Sequence, residues 1–157
     1  KIDKNTIEDS GWLNFLGTCT KKWIELETDK KITKFNLKQT LVVRQFKNEY
    51  NPIHWHGGHI SGAGFLKVPK TLGTFVQDKG DKAYKGGTLN LIHGSRQFLS
   101  HSTFQIKPKV GNFYLFPNYM MHTVYPFKGT DDERRSISFN AKIDPNIYNV
   151  YANYVKK

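Results

Sequence analysis

The feature that most constrains this chain is its punctuation. From Ile32 to Ala141 apolar residues occur only in short runs, and Gly, Pro or Asn interrupts them before a helix of ordinary length could form. The runs read as strands over Ile32–Leu37, Thr40–Phe46, His59–Val68, Gly87–His93, Ser102–Lys107, Asn112–Phe116, His122–Pro126 and Arg134–Ala141. A single stretch has the other periodicity. Between Ser10 and about Lys30, Trp12, Phe15, Leu16, Cys19, Trp23 and Leu26 recur at three- and four-residue spacings behind Asp9 or Ser10 as a cap, which predicts an amphipathic helix. One helix followed by many short strands predicts a mainly β sandwich or barrel with an N-terminal supporting helix.

The chain has 157 residues, enough for one domain that buries about two-thirds of its unfolded surface. Helical support is expected over about 10–30, a barrel over about 40–141 and a C-terminal extension over 142–157. That extension carries Ile147, Tyr148, Val150, Tyr151, Tyr154 and Val155, a pattern that suits either a short helix or an extended segment. Pro69–Gly86 is a Lys- and Gly-containing connection longer than a hairpin needs, the kind of loop that covers a site. No stretch has the roughly 18–20 apolar residues that cross a bilayer, so a membrane partner is not expected. The lone Cys19 excludes an intrachain disulfide and suits a reducing cytoplasm. The sequence begins with Lys rather than Met, as expected of a piece of a longer gene product or of a chain trimmed of a tag. A net charge of +11 would favour anionic cofactors, nucleic acid or acidic partners, but most lysines are scattered singly, as on a solvated surface.

Three of the six histidines lie within nine residues, Asn51-Pro-Ile-His54-Trp55-His56-Gly-Gly-His59. On a strand, residues two apart share a face, so His54 and His56 can converge on one metal while Trp55 turns away. A pair of surface or hydrogen-bonded histidines would show the same spacing. A second cluster begins with the Pro108-x-x-Gly111 turn, continues through the aromatic run Phe113–Phe116 to Pro117, and sets His122 at the start of the next strand. In the third, Arg134, Ser136, Ser138 and Asn140 alternate with Arg135, Ile137 and Phe139. A guanidinium on such a face can bind a carboxylate through two parallel hydrogen bonds, and a hydroxyl two residues along can add another. His59 is a further candidate ligand or substrate contact, whereas His93, His101 and Arg96 read as surface residues near turns.

In order and spacing the three clusters resemble the 2-oxoglutarate/Fe(II)-dependent oxygenase superfamily, and within it oxygenases found in cyanophages and marine bacteria. The resemblance covers roughly Leu41–Ala141. It rests on His54-x-His56 with Ile60-Ser61-Gly62, Pro-x-x-Gly leading to Phe116-Pro117, His122-x-Val124-x-Pro126, and Arg134-x-Ser136-x-Ser138-Phe139-Asn140. It implies a double-stranded β-helix (jelly roll), Fe(II) and 2-oxoglutarate as cofactors, and hydroxylation of a substrate that the sequence does not identify: a protein side chain such as prolyl, a nucleobase or a small metabolite. By the same resemblance His54 and His122 are metal ligands, and Arg134 and Ser136 hold the far carboxylate of 2-oxoglutarate. Tyr114 and Phe116 are candidates to line the cosubstrate pocket, although aromatics on a strand more often belong to the core. The sequence departs from the superfamily where the usual facial triad has a carboxylate, because His56 stands there. The expected metal set is His54, His56 and His122; the alternatives are a carboxylate from elsewhere that completes the site, His59 in place of one member, or a metal other than iron. A jelly-roll binding module, or a three-histidine cupin-type enzyme that does not use 2-oxoglutarate, would accommodate the same residues.

Overall fold

The computed structural model describes residues 1–75 and 83–149. The chain opens with two helices, α1 (Lys4–Asp9) and α2 (Trp12–Thr28). The short α1 was not anticipated; Asp3 caps it, its carboxylate accepting the Thr6 N–H at 2.9 Å. The expected cap at Asp9 or Ser10 is also corrected. Ser10 ends α1 and Gly11, at φ +73°, takes the N-cap position of α2, although the Ser10 hydroxyl still accepts the Trp12 N–H at 3.4 Å. Leu16, Thr20 and Ile24, four residues apart, form the buried stripe of α2, while Leu26, read as part of that stripe, is exposed.

Eight strands follow: β1 (Phe35–Gln45), β2 (Asn51–His54), β3 (Ile60–Lys67), β4 (Leu89–Ile92), β5 (Thr103–Ile106), β6 (Phe113–Pro117), β7 (Met121–Val124) and β8 (Arg134–Ile143). They form two antiparallel four-stranded sheets, β1-β8-β3-β6 and β2-β7-β4-β5. The fold is thus mainly β with N-terminal helical support. The first two expected strands are one, since a shift in register between Leu37 and Gln39 keeps β1 paired with β8 across the interruption. A last short helix, α3 (Pro145–Tyr148), covers part of the C-terminal extension; the expectations for Val150, Tyr151, Tyr154 and Val155, and for the middle of the Pro69–Gly86 loop, lie outside the described residues. Among the described residues no helix is long and apolar enough to cross a membrane.

The larger sheet uses its two faces differently. Ile60, Phe139, Ala141 and Ile143 pack against Leu16 and Ile24 of α2. Gly62 and Gly64 leave the room there that the rings of Phe139 and Phe113 occupy. On the other face Phe65 joins Leu89, Ile106 and Val124 of the smaller sheet in a second cluster, which fills only part of the space between the sheets.

Candidate metal centre

Strand pairing places two of the three imidazoles. His54, the last residue of β2, is the direct cross-strand partner of His122 on β7, so their side chains leave the sheet on the same face. His56 lies two residues beyond the end of β2, a correction to its expected place within a strand. It nevertheless returns to the same point: the His56 and His122 Nε2 atoms are 3.1 Å apart, and candidate ligand atoms of all three residues lie within 4.8 Å of one another. Two nitrogens bound at right angles to one ion, at about 2.0–2.1 Å each, would be about 3 Å apart. The His56–His122 pair has that spacing, and the three donors together are a candidate metal site.

Hydrogen bonds orient the rings. The Nδ1 of His54 is 2.6 Å from the Pro52 carbonyl oxygen, and the Nδ1 of His122 is 2.9 Å from that of Met120. A carbonyl only accepts, so each Nδ1 carries the proton and each Nε2 presents its lone pair. Burial pushes the pKa of His122 down to about 4, with its histidine neighbours adding to the shift and the Met120 bond opposing it. Burial, then His54, also lowers that of His56. Both are neutral at pH 7, the form in which imidazole binds metal. Trp55 points outward and is exposed. His59 does not join the cluster; its Nδ1 accepts the Ile143 N–H at 3.0 Å and its ring stacks on Tyr148. His93, Arg96 and His101 are on the surface, as read from the sequence.

A cavity of about 650 Å³ connects the three histidines with Arg134 and Ser136. Arg134 is 2% exposed, its Nε–H donating to the Gly87 carbonyl at 2.9 Å and its guanidinium carbon 5.2 Å from the centre of the Phe65 ring. Burial lowers its pKa to about 10, which leaves it charged at neutral pH. No carboxylate among the described residues pairs with it. Its neighbour Arg135 instead binds Glu133, which also accepts from Arg44, both at 2.7 Å. Those two cations hold the Glu133 carboxyl down to about 2. A buried guanidinium that no described carboxylate pairs with, facing a largely apolar cavity, suits an anionic ligand.

Tyr114 is not brought to this cavity. It lines a separate depression beside Phe104, and its ring meets Phe65 edge-on at 6.3 Å. Phe116 packs beside His122, with ring centres 5.1 Å apart, and does not line the cavity. Glu49 does reach the cavity, but its carboxylate accepts the Phe46 N–H and does not belong to the imidazole cluster. Sequence reasoning missed the carbonyls of Pro52, Gly87 and Met120, since a backbone acceptor leaves no mark in residue identity. It also assigned no role to Asn118, whose side chain binds the backbone of His56.

A family model described as "Putative 2OG-Fe(II) oxygenase" matches residues 40–140. No curated protein matches the chain. Among solved structures, a 2OG-Fe(II) oxygenase family oxidoreductase from Burkholderia pseudomallei superposes with a TM-score of 0.58 at 14% identity, over 85% of this chain and 55% of its own. A prolyl-4-hydroxylase from Pseudomonas putida superposes with a TM-score of 0.52 at 15% identity, over 83% of this chain and 65% of its own. The chain thus spans less than two-thirds of either neighbour, and at these identities the likeness concerns the fold.

Proposed function

Because the chain belongs to the 2OG-Fe(II) oxygenase family, we propose that it is a 2-oxoglutarate-dependent dioxygenase that hydroxylates a C–H bond of its substrate. The observation that carries this reading is the pairing, in one cavity, of three converging imidazoles with a buried guanidinium that no carboxylate among the described residues neutralises. His54, His56 and His122 would hold Fe(II), and Arg134 with Ser136 would hold the far carboxylate of 2-oxoglutarate. Fe(II) with 2-oxoglutarate and O2 supplies an oxidising centre that yields succinate and CO2 and inserts one oxygen atom into the substrate.

The chain's own residues do the positioning. The carbonyls of Pro52 and Met120 hold the Nδ1 protons of His54 and His122, keeping both Nε2 lone pairs aimed inward. The Gly87 carbonyl and the Phe65 ring fix the Arg134 guanidinium at the far end. Phe65, Leu89 and Val124 give the cavity between the two ends an apolar wall. Three neutral ligands leave the site one unit more positive than a set with one carboxylate, which strengthens its attraction for a dianionic cosubstrate.

We read the strand order of the two sheets as a double-stranded β-helix that makes one domain. The substrate is a protein side chain, as the name of the Pseudomonas putida neighbour suggests for that enzyme, a nucleobase or a small metabolite. The motifs around His54, His122 and Arg134 support kinship with oxygenases of cyanophages and marine bacteria, and the lone Cys19 supports a cytoplasmic setting. The all-imidazole donor set also favours a second reading, a three-histidine cupin-type enzyme that does not use 2-oxoglutarate.

Anaerobic titration separates the two readings. Fe(II) followed by 2-oxoglutarate should develop the weak visible charge-transfer band of a chelated oxoacid, and Arg134→Ala should lose that band while still binding metal. Metal binding without a band in the wild-type protein would favour the cupin-type enzyme. Absence of metal binding would leave a binding module without this chemistry.

A further inference from the structure

His54 and His122 are placed by pairing between strands, but His56 lies outside any strand and its position needs another cause. Asn118 supplies it. The His56 N–H donates to the Asn118 carbonyl at 3.1 Å, and the Asn118 side-chain amide donates back to the His56 carbonyl at 3.0 Å. The Asn118 N–H reaches the carbonyl of His59 at 3.1 Å, so one residue grips both ends of the turn that follows the His-x-His pair. Asn118 is itself held from the C-terminal side, because the Tyr148 hydroxyl donates to its side-chain oxygen at 3.0 Å. The Tyr148 ring in turn stacks on His59, 4.0 Å between centres and 8° from parallel. The far side of the turn is closed by β8: the His59 N–H donates to Ala141, and at Gly58, φ +113°, a Cβ would lie 2.9 Å from the Ala141 carbonyl oxygen.

We infer that Asn118, braced by Tyr148 of α3, is the positioning residue for the third imidazole, so that the C-terminal helix sets metal affinity without touching the metal. The inference rests on the three-imidazole reading of the site. An asparagine suits the task because its amide donates to one carbonyl while its oxygen accepts from a hydroxyl. An aspartate would keep the second bond and lose the first. Residues that orient ligands through their backbone or second nitrogen typically change metal affinity by about 10–100-fold.

The test uses the full chain and Co(II) alone, with affinity measured by chelator competition and coordination by the visible d–d spectrum. Thermal melts of each variant without metal control for folding. Asn118→Ala and Asn118→Asp should both bind Co(II) about 10–100-fold more weakly, and at saturation both should show the altered spectrum of His56→Ala. Tyr148→Phe, which removes one hydroxyl, should weaken binding less and keep the wild-type spectrum. If His56→Ala changes affinity and spectrum while folded Asn118 variants match the wild type in both, the positioning role is wrong and the three-imidazole site stands. If His56→Ala leaves both unchanged, or the wild type binds no Co(II), the site itself is wrong and the inference falls with it.

Discussion

Phe139, Ala141 and Ile143 on β8 face α2 and lie in its apolar cluster, whereas Arg134 and Ser136 on the same strand face the cavity between the sheets. Both sets are buried, yet burial has opposite consequences for them. On the helical side it removes hydrocarbon from water and stabilises the fold. On the cavity side it holds a charged guanidinium away from water with, among the described residues, one hydrogen bond and an aromatic ring for company. That arrangement costs stability in the free protein and is offset when an anion arrives. One strand thus separates stability from ligand binding by the alternation of its side chains.

Substitution on the helical side should have the largest effect on the fold. Phe139→Ala should lower the unfolding free energy by about 3–5 kcal/mol in denaturant titration, while the folded fraction keeps its metal affinity. A comparable loss of metal binding at low denaturant would mean that the two faces are coupled. On the cavity side the order reverses. Arg134→Met should weaken 2-oxoglutarate binding to the metal-loaded protein by about 1.5–3 kcal/mol, roughly 10–150-fold, yet change stability without ligand by less than about 1 kcal/mol, because relief of the buried charge offsets the lost bond to Gly87.

A smaller effect should appear with pH in metal-free protein. The pKa of His122 falls from 6.5 unfolded to about 4 folded, so the unfolded chain binds more protons between those values. Its contribution is complete above about pH 6.5 and declines as the pH falls towards 4. Glu133, lowered from 4.5 to about 2, loses its contribution over that lower range. Chemical denaturation at several pH values should therefore show His122→Gln flattening the upper part of the slope only. The smallest change is expected at Lys142, exposed on β8 between the two buried residues Ala141 and Ile143; Lys142→Ala should move stability by no more than about 0.5 kcal/mol. A larger shift in melting would show that an exposed position of β8 also contributes to stability.

The residues themselves determined much of this protein. Alternation along Arg134–Ala141 sorted cavity from core correctly, because a strand repeats every two residues whatever surrounds it. Punctuation by Gly, Pro and Asn marked eight strand regions, although two of these merged into β1 and one strand, β2, was read only as the His-x-His motif. The His-x-His spacing paired His54 with His56, and the family resemblance added His122; the structure brings the three together. Only the tertiary structure decided the rest. Which strands neighbour one another, and hence that His122 faces His54 across 68 residues of chain, depends on long-range pairing that no local pattern encodes. The turn that returns His56 to the site is held by Asn118 and by Tyr148 from the far end of the described chain, and the acceptors for His54, His122 and Arg134 are backbone carbonyls. Every residue type has a carbonyl, so only the folded path of the chain determines which one reaches a ring.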